Sequence, residues 1–582
     1  MKRKRRFDFG AAGRGNHRYD ANNDTGKNLL LHRPMPLTPP ENLASVPMRA
    51  TGRKTNRFAA RRTAFERHND ILVTRMAQRR ALPKICIALG LPDVPRLLEQ
   101  ARREADAGEN FLEFRIDYLP DPAAGAEAIA TFLREHPNCT ILATCRRHQN
   151  HGRFNGSIDD QLRILELAIQ CGARAIDIEI ETAEVVPARC AELRAKAHLI
   201  VSWHHFETTP PLDPVLKRMR KVPADVYKLV STARKPTDTG RILAASRLSP
   251  RIPLVTLAMG ETGFPTRVIS PAFGTIFTYA APAHFHGTAA GQINARQLRS
   301  LYRIDKFTKA ARVYGVVADP VGHSVSPHVH NRAFQSKRVD AVYVPLLVTP
   351  NQLRDFFQFA EELPLSGFSV TIPHKRKIMR YLDYVDPLAR RIGAVNTVWR
   401  KAGKWRGTNT DAEAVARPLA KMIDLAKATV LIAGNGGAAR SAACALSDAG
   451  AKIAITGRNP DRVRAFARPL SAENLTLEQA CARHFDVVVN ATSVGMSPNV
   501  SECLFPDSIP GDIVFDLVYN PLETELIRRA RAQGRQVVPG VKMFIEQAVR
   551  QFEIWTGESA PRAAMEAAAL DALSAKYSEP KK

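Results

Sequence analysis

HLIVSWHHF at residues 198–206 and ADVYKLVST at residues 224–232 decide how the first half of this chain is read. Both are short apolar runs, and the second carries a lysine where a buried strand would ordinarily carry none. Six runs of the same kind flank them: KICIALG (84–90), FLEFRID (111–117), TILATCR (140–146), AIDIEIE (175–181), PLVTLAMG (253–260) and GTIFTYA (274–280). Amphipathic stretches such as VPRLLEQARREAD and DDQLRILELAIQ lie between most of them. Eight strands alternating with helices predict a (β/α)8 TIM barrel over 83–303. An open two-layer sheet would show the same alternation, but the count of eight favours closure.

In such a barrel the chemistry sits at the C-terminal ends of the strands. Glu113 and Arg115 share one face of the second run, Arg146 ends the third, His204 ends the fifth, and Arg267 follows the seventh. Burial of Lys228 would disfavour the charged ammonium and favour a nucleophilic amine suited to imine formation with a ketone. Taken alone, it could equally be a lysine snorkelling at a strand end. A histidine on the neighbouring strand favours the chemical reading, because imine chemistry needs a proton shuttle. The arginines would clamp a carboxylate.

LEFRID, TCR, VSWHHF, DVYKLV, MGETGFPTR and GTAAGQI together resemble the type I 3-dehydroquinate dehydratases, over roughly residues 84–300. The resemblance implies that Lys228 forms a Schiff base with the substrate ketone. His204 would remove the adjacent proton and then protonate the departing hydroxyl. Glu113, Arg115, Arg146, Arg267 and Gln292 would hold the substrate, with Thr288 in the place of a family serine. Where the family has a glutamate and two glycines after the TCR arginine, this chain has Asn150, His151 and Gly152. Asn150 can hydrogen-bond an imidazole but brings no charge, which implies slower proton transfer.

After a polar connection near IDKFTKAAR (304–312), a second α/β pattern starts at VYGVVADP. ATVLIAGNGGAARSAACAL joins a strand to a helix through Gly434, Asn435, Gly436, Gly437, Ala438 and Ala439, a turn that lets backbone N–H groups approach a pyrophosphate. The next strand, KIAITGR, ends where a ribose-binding residue is expected. Arg458 stands there with Arg462 nearby, and guanidinium groups suit a 2′-phosphate, so NADP is favoured over NAD. Upstream, GHSVSPHVHN, SVTIPHK, GAVNT and GTNTD are rich in small polar groups. Ser324 and Ser326 could read a carboxylate or sugar-like hydroxyls, and Lys375 with Asp411 could move a proton as a ketone gains hydride.

With NATSVGM (490–496), FDLVYNP (515–521) and GVKMFIEQA (540–548), these stretches resemble shikimate dehydrogenase over roughly residues 313–577. The resemblance implies a shikimate site of Ser324, Ser326, Thr371, Lys375, Asn396, Asp411, Tyr519 and Gln547, with Lys375 and Asp411 as the catalytic pair. The nucleotide would contact the 434–438 turn, Arg458, Arg462, Thr492, Leu517 and Gly540. The family's Asn-Arg-Thr after the second strand is Gly457-Arg458-Asn459 here. The implied organisation is a barrel followed by a two-domain α/β dehydrogenase: a substrate domain over 313–415, a Rossmann-type NADP domain over 416–550, and a C-terminal helix over 551–577 that returns to the substrate domain.

The formal charge of the 582-residue chain is +27, and residues 1–80 hold 19 Lys or Arg against 6 Asp or Glu. That segment lacks apolar periodicity and is expected to be a disordered basic extension. It is read as a solvated extension, or as upstream sequence if translation begins at Met76, in preference to a polyanion-binding tail. Its single serine, Ser45, and the lack of an apolar core argue against a transit or secretory peptide, so a cytoplasmic location is expected. The eight cysteines form no C-x-x-C pair, and no metal site is expected. No stretch is apolar enough to span a membrane.

The expected partners are 3-dehydroquinate and 3-dehydroshikimate or shikimate, in a monomer or homodimer. Two other readings stand beside this one. The C-terminal half could oxidise quinate beside a weakened dehydratase. The chain could also be a non-catalytic sensor whose arm touches DNA, although Lys228, His204, Lys375 and Asp411 are all present and the arm lacks DNA-binding spacing.

Overall fold

In the computed structural model of the chain, residues 81–578 are described apart from 249–251, 284–286, 289–290, 307, 309, 364 and 506. The basic extension expected over 1–80 lies outside the described residues.

Strand alternation builds the first domain. Its strands are β1 (Ile85–Leu89), β2 (Phe111–Arg115), β3 (Thr140–Thr144), β4 (Ala175–Glu179), β5 (His198–His205), β6 (Val226–Thr232), β7 (Leu254–Met259) and β8 (Thr278–Ala280). They hydrogen-bond in parallel in the order β7-β6-β5-β4-β3-β2-β1-β8. β7 and β8 meet at the seam, where the Ile276 N–H donates to the Leu254 carbonyl at 3.0 Å, so the barrel is nearly closed.

Successive side chains on a strand point to opposite faces. One set, with Ile85, Ile87 and Leu89 on β1, packs outward against the helices. The other fills the barrel floor with Cys86, Phe111, Leu142, Ala175, Ile200, Val226, Val255 and Phe277. Each fully buried valine or isoleucine there contributes about 1.5–3 kcal/mol. Two residues further along β2 to β6 the same inward face turns polar, at Glu113, Thr144, Asp177, Ser202 and Lys228, and that change of chemistry makes the pocket.

The second sheet runs in the order β10-β9-β11-β13-β14-β12. It contains β9 (Arg312–Ala318), β10 (Ala341–Leu347), β11 (Leu365–Val370), β12 (Tyr384–Val385), β13 (Thr397–Lys401) and β14 (Lys404–Thr408). The third is parallel throughout, in the order β17-β16-β15-β18-β19-β20. Its strands are β15 (Thr429–Ala433), β16 (Lys452–Thr456), β17 (Glu473–Leu475), β18 (Phe485–Asn490), β19 (Gly511–Asp516) and β20 (Gln536–Val538). This is the doubly wound order 3-2-1-4-5-6, with its switch point between β15 and β18.

The boundaries expected at 415/416 and 550/551 fall inside the helices Asp411–Leu419 and Gly540–Thr556, which pack on each other. Met565, Ala569 and Leu573 of the last helix, Arg562–Ser578, pack against Val329, Ala333 and Phe334 beside β9. The barrel meets the second domain where the Thr237 N–H and Oγ1 donate to Asp355 at 2.9 and 2.7 Å.

Candidate functional site

Inward alternation places the polar barrel residues. Val226 and Val230 belong to the floor, so Lys228 between them points into the barrel. Phe111 does the same for Glu113 and Arg115, Leu142 for Thr144 and Arg146, and Ile200 for Ser202 and His204. Glu113, Arg115, Arg146, His204, Lys228, Arg267, Thr288 and Gln292 all line one cavity of about 100 Å³.

Bonded to two of these lining residues is one that sequence reasoning missed. Asp177, two positions along β4 from Ala175, accepts from Lys228 Nζ at 3.1 Å, from Arg146 Nη2 at 2.8 Å and from Ser202 Oγ at 2.6 Å. Burial alone would raise this carboxyl, but Lys228 and Arg146 hold it below the usual carboxylate value. Glu113 lies 3.9 Å from Lys228 Nζ and accepts from Thr144 Oγ1 at 2.7 Å. The Tyr279 ring lies 4.2 Å from the same ammonium. The signal for Asp177 was an acid at an inward position between two buried isoleucines.

Arg146 Nη1 donates to His204 Nδ1 at 2.7 Å. Burial, then the charges of Arg146, Lys228 and Arg115 and the neighbouring His151, hold His204 well below its ordinary value, so the ring is neutral. Arg115 is held by Asp117 through Nε and Nη2 at 2.9 and 2.8 Å. Asn150 requires a correction. Its Nδ2 donates to Glu181 at 3.0 Å on the exposed side, and it makes no hydrogen bond to His204 among the described residues. The side chain of that turn that enters the pocket lining is His151.

In the second half, Lys375 Nζ donates to Asp411 Oδ2 at 2.6 Å, and Asn396 Nδ2 donates to Asp411 Oδ1 at 2.6 Å. Asp411 opens a helix, where the dipole favours a carboxylate. Thr410, held by Asn396, donates to the Gln547 carbonyl at 3.3 Å. Tyr519 stacks on Phe544 at 4.5 Å, one turn before Gln547. Ser326 opens the helix Ser326–Ser336, and its N–H donates to Ser324 Oγ at 3.2 Å. Thr371 follows β11 at the same strand-end edge. Tyr343, not foreseen, hydrogen-bonds Ser369 and is also held by Ser326.

The nucleotide-side residues cluster at the ends of β15, β16, β18 and β19. Gly434 has φ +122°, and a Cβ there would stand 2.8 Å from the Ala491 carbonyl oxygen, so glycine is required. Asn435 and Gly436 lead into the helix Gly437–Asp448, whose first turn contains Ala438. A Cβ on Gly437 would lie 3.0 Å from Lys375 Cδ, so the glycine turn and Lys375 meet at one cleft. Thr492 Oγ1 donates to Asn490 Oδ1 at 2.7 Å, and the Leu517 N–H donates to the Asn490 carbonyl. Gly540 opens the helix beyond β20. Arg458 and Arg462 are exposed, and among the described residues their guanidinium groups pair with nothing. Asn459, in the place of the family's threonine, caps the helix Pro460–Ala467 by accepting from the Arg462 N–H at 3.0 Å. Asp516, also unforeseen, is buried, accepts from Asn490 and Thr524, and is pushed up to about 6 by burial.

Residues 85–309 match the family described as type I 3-dehydroquinase. Residues 316–398 match the shikimate dehydrogenase substrate binding domain, 416–500 the shikimate/quinate 5-dehydrogenase family, and 540–570 the shikimate 5′-dehydrogenase C-terminal domain. The chain is 33% identical over 503 residues to a bifunctional 3-dehydroquinate dehydratase/shikimate dehydrogenase, named chloroplastic, of Arabidopsis thaliana. That match covers 82% of this chain and 83% of the relative. The chain belongs to this bifunctional family.

Single-function relatives match the second half of this bifunctional chain. A shikimate dehydrogenase (NADP(+)) of Maridesulfovibrio salexigens is 40% identical over 253 residues, covering 43% of this chain and 93% of its own. A crystal structure of shikimate 5-dehydrogenase from Thermus thermophilus, in complex with NADP(H) and shikimate, is 35% identical with a TM-score of 0.42. It covers 45% of this chain and 100% of that one. No helix among the described residues is long and apolar enough to cross a membrane.

Proposed function

We propose that the chain dehydrates 3-dehydroquinate to 3-dehydroshikimate in its barrel and reduces that product to shikimate with NADPH in its second half. The observation that carries the reading is that each half brings an amine and its proton carriers together: Lys228, Arg146 and His204 around one cavity, with Asp177 bonded to Lys228 and Arg146, and Lys375 with Asp411 at 2.6 Å in the other half.

In the barrel, the Lys228 ammonium first gives up a proton to solvent, the amine attacks the ketone carbon, and water leaves to give an imine. Arg146, Arg115 and Arg267 are the cations available to a substrate carboxylate. Once Arg146 turns to that carboxylate, His204 Nδ1 is released to take the proton from the carbon beside the imine. The imidazolium then protonates the departing hydroxyl, and hydrolysis of the imine frees Lys228. Glu113, Thr288 and Gln292 hold the substrate hydroxyls.

The second half fits a dinucleotide. Open space stands where a Cβ on Gly436 would be, the first N–H groups of the following helix face that space, and Arg458 and Arg462 are free to meet a 2′-phosphate. Bound NADPH supplies the hydride. Lys375, oriented by Asp411, donates a proton to the developing alkoxide, while Ser324, Ser326, Thr371, Asn396, Tyr519 and Gln547 position the substrate.

The test is to incubate the purified chain with 3-dehydroquinate and NADPH and follow absorbance at the nucleotide band. NADPH loss requires both halves to turn over. Loss from added 3-dehydroshikimate alone would refute the barrel assignment.

A further inference from the structure

The turn after β3 holds a side chain on a left-handed backbone, which among non-glycine residues asparagine, aspartate and histidine enter most often. His151 closes the short helical turn His148–Asn150 with φ 58° and ψ 28°, the left-handed region that glycine enters freely and a branched or bulky residue avoids. Backbone bonds tie this turn to the end of β3. The Phe154 N–H donates to the Arg146 carbonyl at 3.1 Å, the His148 N–H to the Phe154 carbonyl at 2.9 Å, and the Gly152 N–H to the Arg147 carbonyl at 3.0 Å. Asn150 points away, to Glu181. His151 is thereby aimed inward.

Its ring packs on Phe206 with centroids 4.0 Å apart, and the His204 ring stacks on the same Phe206 at 5.8 Å. Both imidazoles line the barrel cavity, but His151 is exposed while His204 is half-buried. His204 has no carboxylate partner among the described residues, and its hydrogen bonds go to Arg146, which can only donate. The charges that act on it, besides Arg146, are Lys228 and Arg115, both cations, and the nearby carboxylates are engaged elsewhere, Asp177 by Lys228 and Arg146 and Glu113 by Thr144. A proton placed on His204 therefore finds the deeper carboxylates already engaged by other donors. The acceptor toward solvent is the His151 ring.

We propose that His151 is the proton relay of the dehydratase site, exchanging protons between His204 and bulk water, directly or through one bridging water, as the imine forms and is hydrolysed. In each exchange an N–H bond of the His204 imidazolium breaks and an N–H bond of His151 forms, and His151 then gives the proton to water. The reverse sequence recharges His204. No redox partner is involved. The inference rests on the dehydratase reading above.

The test compares the full chain with its His151→Gly and His151→Asn variants, using 3-dehydroquinate turnover and added imidazole. Glycine and asparagine both tolerate the left-handed backbone, so a thermal melt should show no loss of folding. The expected result is a fall in dehydratase kcat of about 100-fold in both variants, with KM little changed. Imidazole in solution should restore the rate of the glycine variant and leave the wild type unaffected, and reduction of 3-dehydroshikimate should proceed as before. A kcat within twofold of wild type, a loss confined to KM, or a loss that asparagine repairs would each overturn the relay. Absence of dehydratase turnover in the wild-type chain would instead overturn the underlying reading.

Discussion

Lys228, Asp177, Arg146 and Glu113 in the barrel are each at most 6% exposed and neutralise one another inside a cavity. In the nucleotide half, Arg458 and Arg462 stand in solvent with no ion pair among the described residues. The same chemical types are thus deployed in two ways. Buried charges are preorganised and strongly coupled, so removing one leaves the others without a partner. Exposed charges are screened, and they gain their energy only when a ligand covers them. Lys375 and Asp411 lie between these extremes, with Asp411 buried and Lys375 reaching it from a partly exposed position.

The largest effect should come from the most deeply coupled group. Lys228→Met keeps the length and shape of the side chain but removes the amine, so dehydration of 3-dehydroquinate should fall by about 10⁴-fold or more. Borohydride added with substrate should trap a covalent adduct on the wild-type chain and none on the variant, as mass spectrometry would read directly. Reduction of 3-dehydroshikimate should be untouched. A variant that retained even a hundredth of its dehydratase rate would break the contrast between the halves.

Lys375→Met tests the intermediate case. The dehydrogenase kcat should drop by about 10²–10³-fold, since a positioned proton donor is lost while substrate and nucleotide contacts remain. The dehydratase rate should not change. If the loss appeared wholly in the KM for 3-dehydroshikimate, Lys375 would be a binding group rather than the proton donor.

How much of this was legible in the sequence follows the same division. The strand period announced the barrel, and a lysine inside DVYKLV stood out because apolar neighbours gave it contrast. Asp177 was passed over because AIDIEIE holds three acids, and alternation alone does not say which of them meets a lysine two strands away. Strand register does not either: it sets Glu179 beside Ser202 and Ser202 beside Lys228, yet Lys228 Nζ reaches Asp177. His151 and Asn150 were legible as departures, but which of the two enters the pocket depends on a left-handed backbone that residue type does not reveal. The expected eighth strand, GTIFTYA, shortens to Thr278–Ala280, because the preceding residues turn out of the 270–273 helical turn and meet β7 by single backbone bonds. In the second half the glycine turn and the arginine after β16 were readable because a backbone cradle leaves a signature of missing side chains. Tyr343 and Asp516 act through tertiary contacts and left none.

Acid should separate two buried histidines that serve different ends. His330, behind the shikimate site, is 1% exposed, stacks on Tyr343 at 4.6 Å, and is pushed down to about 3 by burial. Its folded value lies below the usual 6.5, so the folded state refuses a proton that the unfolded chain accepts. Above pH 6.5 the two states agree and nothing is lost. As pH falls from about 6.5 toward about 3, stability should decline by up to about 1.4 kcal/mol per pH unit from this group alone. His330→Gln should flatten that slope in denaturant melts between about pH 6 and about pH 4, the middle of the window. An unchanged slope would assign the acid sensitivity elsewhere, with His204 in the barrel the next group to replace.

The smallest effect sharpens the comparison most. Arg458→Ala removes a guanidinium that is already hydrated, so the free protein should lose no stability, and KM for NADPH should rise by only about fivefold with kcat held. Arg146→Ala removes the same side chain from a site where Asp177 and His204 depend on it, and should cost about 3–5 kcal/mol of stability in addition to dehydratase activity. Measuring both in one chain, by melts and by initial rates over a range of NADPH, holds residue type constant and varies burial alone. If Arg458→Ala weakened NADPH by a hundredfold, the bound nucleotide would have to bury that arginine as deeply as the barrel buries Arg146, and the loop after β16 would have to close over the 2′-phosphate. A fivefold effect, together with a narrowed preference for NADPH over NADH, means the arginine selects the cofactor while the glycine turn at 434–438 does most of the holding.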